Sequence, residues 1–467
     1  MIAAIAWQEA RSLLRDGRLP AFGAVVGLLL VAVLFAAAQQ RGAAETGRLQ
    51  AEQAARAQWD HQGDRNPHRA AHFGLYAFKP RAALSVVEPG VDRQLGQALW
   101  LEPHKRNMAL FAPAADEAPS LGLGGLTPGF VLFALVPLLI AVLGHGTVIR
   151  ERERGTLRLL QACGVDGVRL VAGKWLGLSL AVALVLLPAL ALGAWLSVDR
   201  SGRAAAGWLG AGLGIYYATW AAATVLVSTL ARSARSALLV LSALWVAGVF
   251  LVPRLAASVV DQATPLPTGA AFRAAIHHDI EHGLPGDGSA RQRLQDFDAA
   301  LLADAGVQRL DDLPYGANAR RRLFRDAYAT RVHALHFQRL WEAQQRQQRL
   351  LRWAGALGPF VPMRAVGSAL AQTDLAHRRH FEEAAEAYRQ RFTTWIDDWD
   401  LRATRGVTSF ESRYAGDAQW QAMPSWRYTP PDTAFSLRSA AADGSLLVAW
   451  CAAALGALVV AGRRLKP

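Results

Sequence analysis

His278, Glu281 and His282 have the spacing in this chain that comes nearest to a known chemistry. In His277-His-Asp-Ile-Glu-His282, two histidines one helical turn apart enclose an acid, the inverted order of the His-Glu-x-x-His zinc motif. Such a site needs a further ligand and a closed pocket. Gly283, Pro285, Gly286 and Gly288 follow at once, so the cluster reads first as the polar end of a helix and only second as a metal site. A phosphate-binding loop is the other candidate. The segment from Gly167 ends in Gly173-Lys174, but its spacing is one residue too long. Trp175 also stands where that motif needs a magnesium-binding hydroxyl. The chain is therefore expected not to hydrolyse ATP, and no cofactor is expected.

The elements that carry these residues are set by hydropathy. The chain has 467 residues, 52% hydrophobic and 19% charged, and its apolar residues are clumped. Runs of about 17 to 25 apolar residues are what a helix needs to cross a bilayer. The reading is a mainly α, polytopic membrane protein with six transmembrane helices, at 19–38, 128–148, 172–196, 204–230, 237–252 and 445–461. Two extracytoplasmic insertions, 39–127 and 253–444, separate spans; the larger is expected to be mostly helical. Residues 43–59 read as a polar helix and the rest of the first insertion as irregular, with Pro67, Pro80, Pro89 and Pro103. Pro253 is expected to end the fifth span.

Residues 1–18 form an amphipathic segment with Trp7, Leu13 and Leu14 among Arg11, Arg15 and Arg18, suited to the membrane interface. Ala36-Ala37-Ala38 resembles a leader cleavage site. The preceding segment, however, carries Glu9 and Asp16, so retention is the favoured reading.

Lys and Arg concentrate in short cytoplasmic loops. The N-terminus, the loop 149–171, the link with Arg232 and Arg235, and the tail 462–467 all carry this excess, and alternating spans put them on one side. Both termini are thus expected in the cytoplasm of a bacterium, with the chain in its inner membrane. The net charge of +13 then reads as attraction to the lipid bilayer, and no nucleic-acid motif is present. Cys163 and Cys451 lie outside the two insertions, so no disulfide is expected there.

The loop after the second span runs Ile149-Arg-Glu-Arg-Glu-Arg-Gly-Thr-Leu-Arg-Leu-Leu-Gln-Ala-Cys-Gly164 and returns at Lys174. Gly155 permits a break, Thr156 is placed to N-cap a short helix over 157–162, and Gly164 to end it. The loop resembles the ABC-2-type permease family in Glu151, Glu153, Gly155, Thr156 and Leu157, then Lys174 at the re-entry. Gly358-Pro-Phe-Val-Pro-Met-Arg-Ala365, Thr373-Asp374 and His380 to Arg389 are similar to a subgroup with large extracytoplasmic helical insertions.

That resemblance implies a permease subunit and favours export, in the family's manner, with a second permease chain beside it and a separate ABC ATP-binding subunit driving it. Glu151, Glu153, Gly155, Thr156, Leu157, Leu160 and Lys174 would couple to that subunit. The rival classes are a membrane-anchored scaffold or signalling protein, and a metal-dependent membrane enzyme using His278, Glu281 and His282.

Three smaller readings follow. Gly210 and Gly214 in the fourth span suit close helix packing, within one chain before between two. His145 sits near a span end, where solvation is the default. Trp395, Trp399, Trp420 and Trp426 read as core aromatics.

Overall fold

The structure is a computed structural model and describes residues 1–108, 126–196, 200–403 and 415–466. It is mainly α. Six helices among the described residues are long and apolar enough to cross a membrane: Arg18–Asp60, Pro128–Glu153, Gly167–Leu184, Gly202–Leu230, Ala234–Ala263 and Thr433–Arg463, here spans one to six. The protein is a multi-pass membrane protein.

Elements named below are α1 (Ile2–Arg15), α2 (Arg18–Asp60), α3 (Pro67–Ala71), β1 (Leu75–Phe78), β2 (Ala98–Leu101), α4 (Thr156–Ala162), α5 (Gly269–His282), α6 (Ala317–Ala354) and α7 (Leu375–Ala403).

The helix α2 has 43 residues, about 65 Å at 1.5 Å per residue and so roughly twice the hydrocarbon thickness. The sequence suggested a span and a separate polar helix. Only Gly42 breaks the helix-favouring run between them, and one glycine costs about 1 kcal/mol, so the helix continues. The first insertion is also less irregular than expected. β1 and β2 pair antiparallel with Leu75 opposite Leu101 and Phe78 opposite Ala98. At four residues each, the strands are too short to show alternation in the sequence.

Pro253 does not end span five, whose helix continues to Ala263. A π-helical turn at Ala247–Leu251 precedes the proline, and Pro253 sits in the first turn of the helical segment that follows. The N–H that proline lacks is absorbed there.

Span two repeats the device, with a π turn at Val131–Leu135 and then Pro137. Pro137 has no N–H to give to the carbonyls one turn back. In hydrocarbon such a carbonyl needs another donor. Tyr216 Oη donates to Phe133 O at 2.7 Å, Tyr217 Oη to Leu132 O at 3.0 Å and Trp245 Nε1 to Ala134 O at 2.8 Å. Spans four and five are pinned to span two at the point where its own ladder is interrupted.

The hydrophobic core of the spans includes Phe133, Ile140, Leu178, Leu213, Tyr216 and Leu447. It also takes in Phe360, Met363, Val366 and Leu370 from a helix at Phe360–Leu370. The larger insertion therefore sends one apolar helix against spans four and six. A second core, beyond the spans, joins the two insertions. Trp59 and Trp420 are fully buried in it with Phe381, Tyr388 and Phe392. Trp395, Trp399 and Trp426 pack against it, partly buried. Across α6 and α7, Arg322 Nε donates to Asp397 at 3.0 Å, and its guanidinium also reaches Asp400. Burial pushes the Asp397 carboxyl up to about 6 despite that arginine.

Tyr216→Phe or Tyr217→Phe should each strand a carbonyl and cost ~1–3 kcal/mol, read as a lower unfolding temperature in detergent. Adding Pro137→Ala should recover part of the loss, because the restored N–H takes back one carbonyl. Unchanged stability in both tyrosine variants would refute this pairing.

Candidate coupling site at the basic end of the spans

Span three re-enters at Gly167 and carries Lys174 on its second turn. The ammonium is 2.7 Å from Glu9 Oε2 and 2.6 Å from Glu151 Oε1. Lys174 and Glu9 are both buried. One lysine thus ties α1, the end of span two and the start of span three. Two carboxylates at this spacing repel each other, and the cation between them removes the repulsion. α1 reaches this position because Gly173 and Gly177 leave room for it. A Cβ at Gly173 would sit 2.6 Å from Ile5 Cβ, and one at Gly177 would sit 2.6 Å from Ala6 O. The tight Gly-x-x-x-Gly contact is this one. A Cβ placed at Gly210 or Gly214 would meet nothing from another element within 4 Å among the described residues, so the close helix packing expected of them within one chain is not seen there.

Span two ends in Ile149–Glu153, and Gly155 follows in the left-handed region at φ 74°. That conformation turns the chain and favours glycine. α4 begins at Thr156, with Gly155 as its N-cap, so Thr156 does not cap the helix. Its hydroxyl instead donates to the Glu151 carboxylate at 2.5 Å and to Glu151 O at 3.2 Å. The carboxylate is the stronger acceptor. Gly164, at φ 80°, closes α4, with Val165 N bonding back to Leu160 O at 3.1 Å. Leu157 is buried with Val165 and Leu170, and Leu160 packs partly buried against them beside Ile5 and Leu465.

The charged residues of the loop are mostly engaged. Arg152 donates to Thr229 O at 3.2 Å and Ala231 O at 3.4 Å, capping the end of span four. Glu153 Oε1 accepts from Ala234 N at 3.1 Å, at the start of span five. Ser228 Oγ accepts from Val148 N at 3.0 Å and Ile149 N at 3.2 Å. Gln161 Nε2 donates to Leu465 O at 3.2 Å in the tail. His145 is buried rather than solvated, with Nδ1 donating to Val142 O at 2.8 Å and Nε2 3.3 Å from Arg150 Nη2. Arg154, Arg158, Leu159 and Cys163 are exposed, and Leu159 is 66% so. They form the open face of the loop.

Residues 104–268 match the family described as ABC-2 family transporter protein. That segment is similar to the membrane domain of ABC-2 transporters. Residues 270–429 match a second family, a domain of unknown function (DUF3526). No curated protein matches the chain. An ABC-2 membrane component implies an ATP-binding partner.

Of the residues singled out by sequence, Glu151, Thr156 and Lys174 come together. Glu153 lies apart, against Ala234. Sequence reasoning missed Glu9 as a partner of Lys174. Its signal was an acid on the apolar face of an otherwise basic amphipathic helix. His278 and His282 lie exposed at the end of α5, with rings stacked 4.4 Å apart and Glu281 exposed beside them. His282 Nδ1 donates to His278 O at 3.1 Å. The acid engaged there is Asp279, which accepts from His336 Nε2 at 2.8 Å. Hydrogen bonds from His336 and His278 hold its carboxyl below the usual range.

Asp374, His377 and Ser436 have the connectivity of a nucleophile relay. His377 Nδ1 meets Asp374, and its Nε2 lies 3.0 Å from Ser436 Oγ. Ser436 and His377 are both 1% exposed, so the hydroxyl is closed off from any substrate. The network fastens α7 to span six, with Ser439 Oγ donating to Asp374 at 2.5 Å.

Lys174→Met should leave Glu9 and Glu151 facing each other and destabilise the permease by ~3–5 kcal/mol, measured by thermal or denaturant unfolding in detergent. The triple change Glu9→Gln, Glu151→Gln, Lys174→Met should regain most of that loss. Equal destabilisation by the single and triple variants would contradict the ion-pair account.

Proposed function

We propose that the chain is the permease half of an ATP-driven exporter, with a second permease chain beside it and two ATP-binding subunits beneath. The observation that carries this reading is the reach of the loop 149–164. Its bonds run to α1 and span three through Lys174, to span four through Arg152 and Ser228, to span five through Glu153 and to the tail of span six through Gln161. A push on α4 is delivered to several spans at once.

The ATP-binding subunit docks on the open face, Arg154, Arg158, Leu159 and Cys163. ATP drives the change only through its different affinity for the two arrangements. Shifting a pair of states from 1:99 to 99:1 takes about 5.5 kcal/mol of such difference. The contacts among α1, the loop, the link after span four and the tail support one common side for them, the cytoplasm, in a bacterial inner membrane. Gly210 and Gly214, open in this chain, suit the seam with the second permease chain.

The detergent-purified chain should capture its ATP-binding subunit. Arg158→Glu with Leu159→Ala should abolish capture at unchanged thermal stability, because both side chains are exposed. Glu153→Arg with Gly155→Pro should abolish it as well, through the shape of the loop. Full capture by the Arg158/Leu159 variant would remove this face as the dock.

A further inference from the structure

Three histidines outside the coupling site converge on one point. His68 and His72 lie one turn apart on and just after α3, whose start is fixed by Pro67 in the first turn and by the Asn66 side chain accepting from His68 N at 3.0 Å. His104 comes from the turn that follows β2. That turn is built: Lys105 N bonds to Pro103 O at 2.9 Å, and the buried Glu102 takes Lys105 Nζ at 2.6 Å and Asn107 Nδ2 at 3.0 Å. His104 itself is held in the left-handed region at φ 69°. A non-glycine residue held there is strained, and such residues cluster at ligand clamps.

The Nε2 atoms of His72 and His104 each lie 3.4 Å from Nε2 of His68, and the three nitrogens fall within 4.8 Å of one another. Tetrahedral zinc with bonds of about 2.0–2.1 Å places neighbouring nitrogens roughly 3.3–3.4 Å apart. His104 Nδ1 lies 2.6 Å from Asp326 Oδ1 on α6. As a donor to that carboxylate, Nδ1 keeps the proton and Nε2 is left with its lone pair, the usual support of a metal-binding histidine. A single Nε2 proton on His68 serves one of its two close neighbours. A cation at the centre serves all three rings.

We propose that His68, His72 and His104 form a binding site for one divalent transition ion of the zinc type, oriented by Asp326. Imidazole nitrogens select this class over calcium or magnesium. Three protein ligands leave a fourth position for water or an incoming donor. The ion would clamp the first insertion onto the DUF3526 segment, because His68 and His72 belong to one and Asp326 to the other. The site is distinct from His278 and His282, which stack at the far end of α5.

The test is calorimetric titration of the full chain in detergent with ZnCl2, after removal of any polyhistidine tag, with Co(II) absorption as a second probe of tetrahedral nitrogen ligation. One equivalent per chain is expected. His72→Ala, at an exposed ring, and His68→Ala should each lower affinity at least a hundredfold, and Asp326→Asn should lower it 10–100-fold. His278→Ala with His282→Ala should leave it unchanged. Helical content and elution volume check that each variant folds. Wild-type uptake no greater than that of a folded His68→Ala, His72→Ala variant would overturn the proposal, as would loss of binding only in the His278/His282 variant.

Discussion

A lysine buried between two carboxylates sets the form of the basic end of this protein. Lys174 alone would be costly to bury, as would Glu9 or Glu151. Together they are stable only if α1 lies across span three and the end of span two returns to the same point. Gly173 and Gly177 make that approach sterically open. The loop 149–164 is held from this anchor. Thr156 closes onto Glu151, and Leu157 fills the apolar space beneath. The open residues Arg154, Arg158, Leu159 and Cys163 are what is left once the anchoring contacts are made.

The same economy governs the middle of the bundle. Two prolines interrupt spans two and five, and each interruption is absorbed by a π turn. In span two, the released carbonyls take donors from Tyr216, Tyr217 and Trp245. The defect in one helix becomes a set of bonds to two others. Beyond the spans, the two insertions form one body around Trp59 and Trp420, each of whose indole N–H donates to the other's segment at 3.0 Å, to Trp420 O and Gly63 O. Buried charges such as Arg322 and Asp397 then fix how its helices meet.

The spans were legible in the sequence because twenty apolar residues have few other uses. Their ends were not, because Arg18–Asp60 and Ala234–Ala263 run on as helix after hydropathy falls, and Pro253 gives no sign that a π turn precedes it. The loop was legible through Gly155 and Gly164, whose left-handed conformations glycine supplies at no cost. Thr156 was misassigned because a local rule for capping competed with a carboxylate five positions back, and the carboxylate won. Glu9 and Lys174 are 165 positions apart, and no local pattern joins them. The histidines at 68, 72 and 104 escaped notice for the same reason, while His278 and His282 drew attention through adjacency alone.

The central claim is that the exposed face of the loop is where the ATP-binding subunit sits. Cys163 lies on that face, and Cys451, the other cysteine, is removable as Cys451→Ser. The direct measurement is the rate of maleimide labelling at Cys163, with and without bound ATP-binding subunit. Strong protection in the intact complex, relieved when the subunit is stripped away, is the predicted result. Labelling at the same rate in an intact complex and in the free permease would contradict the account.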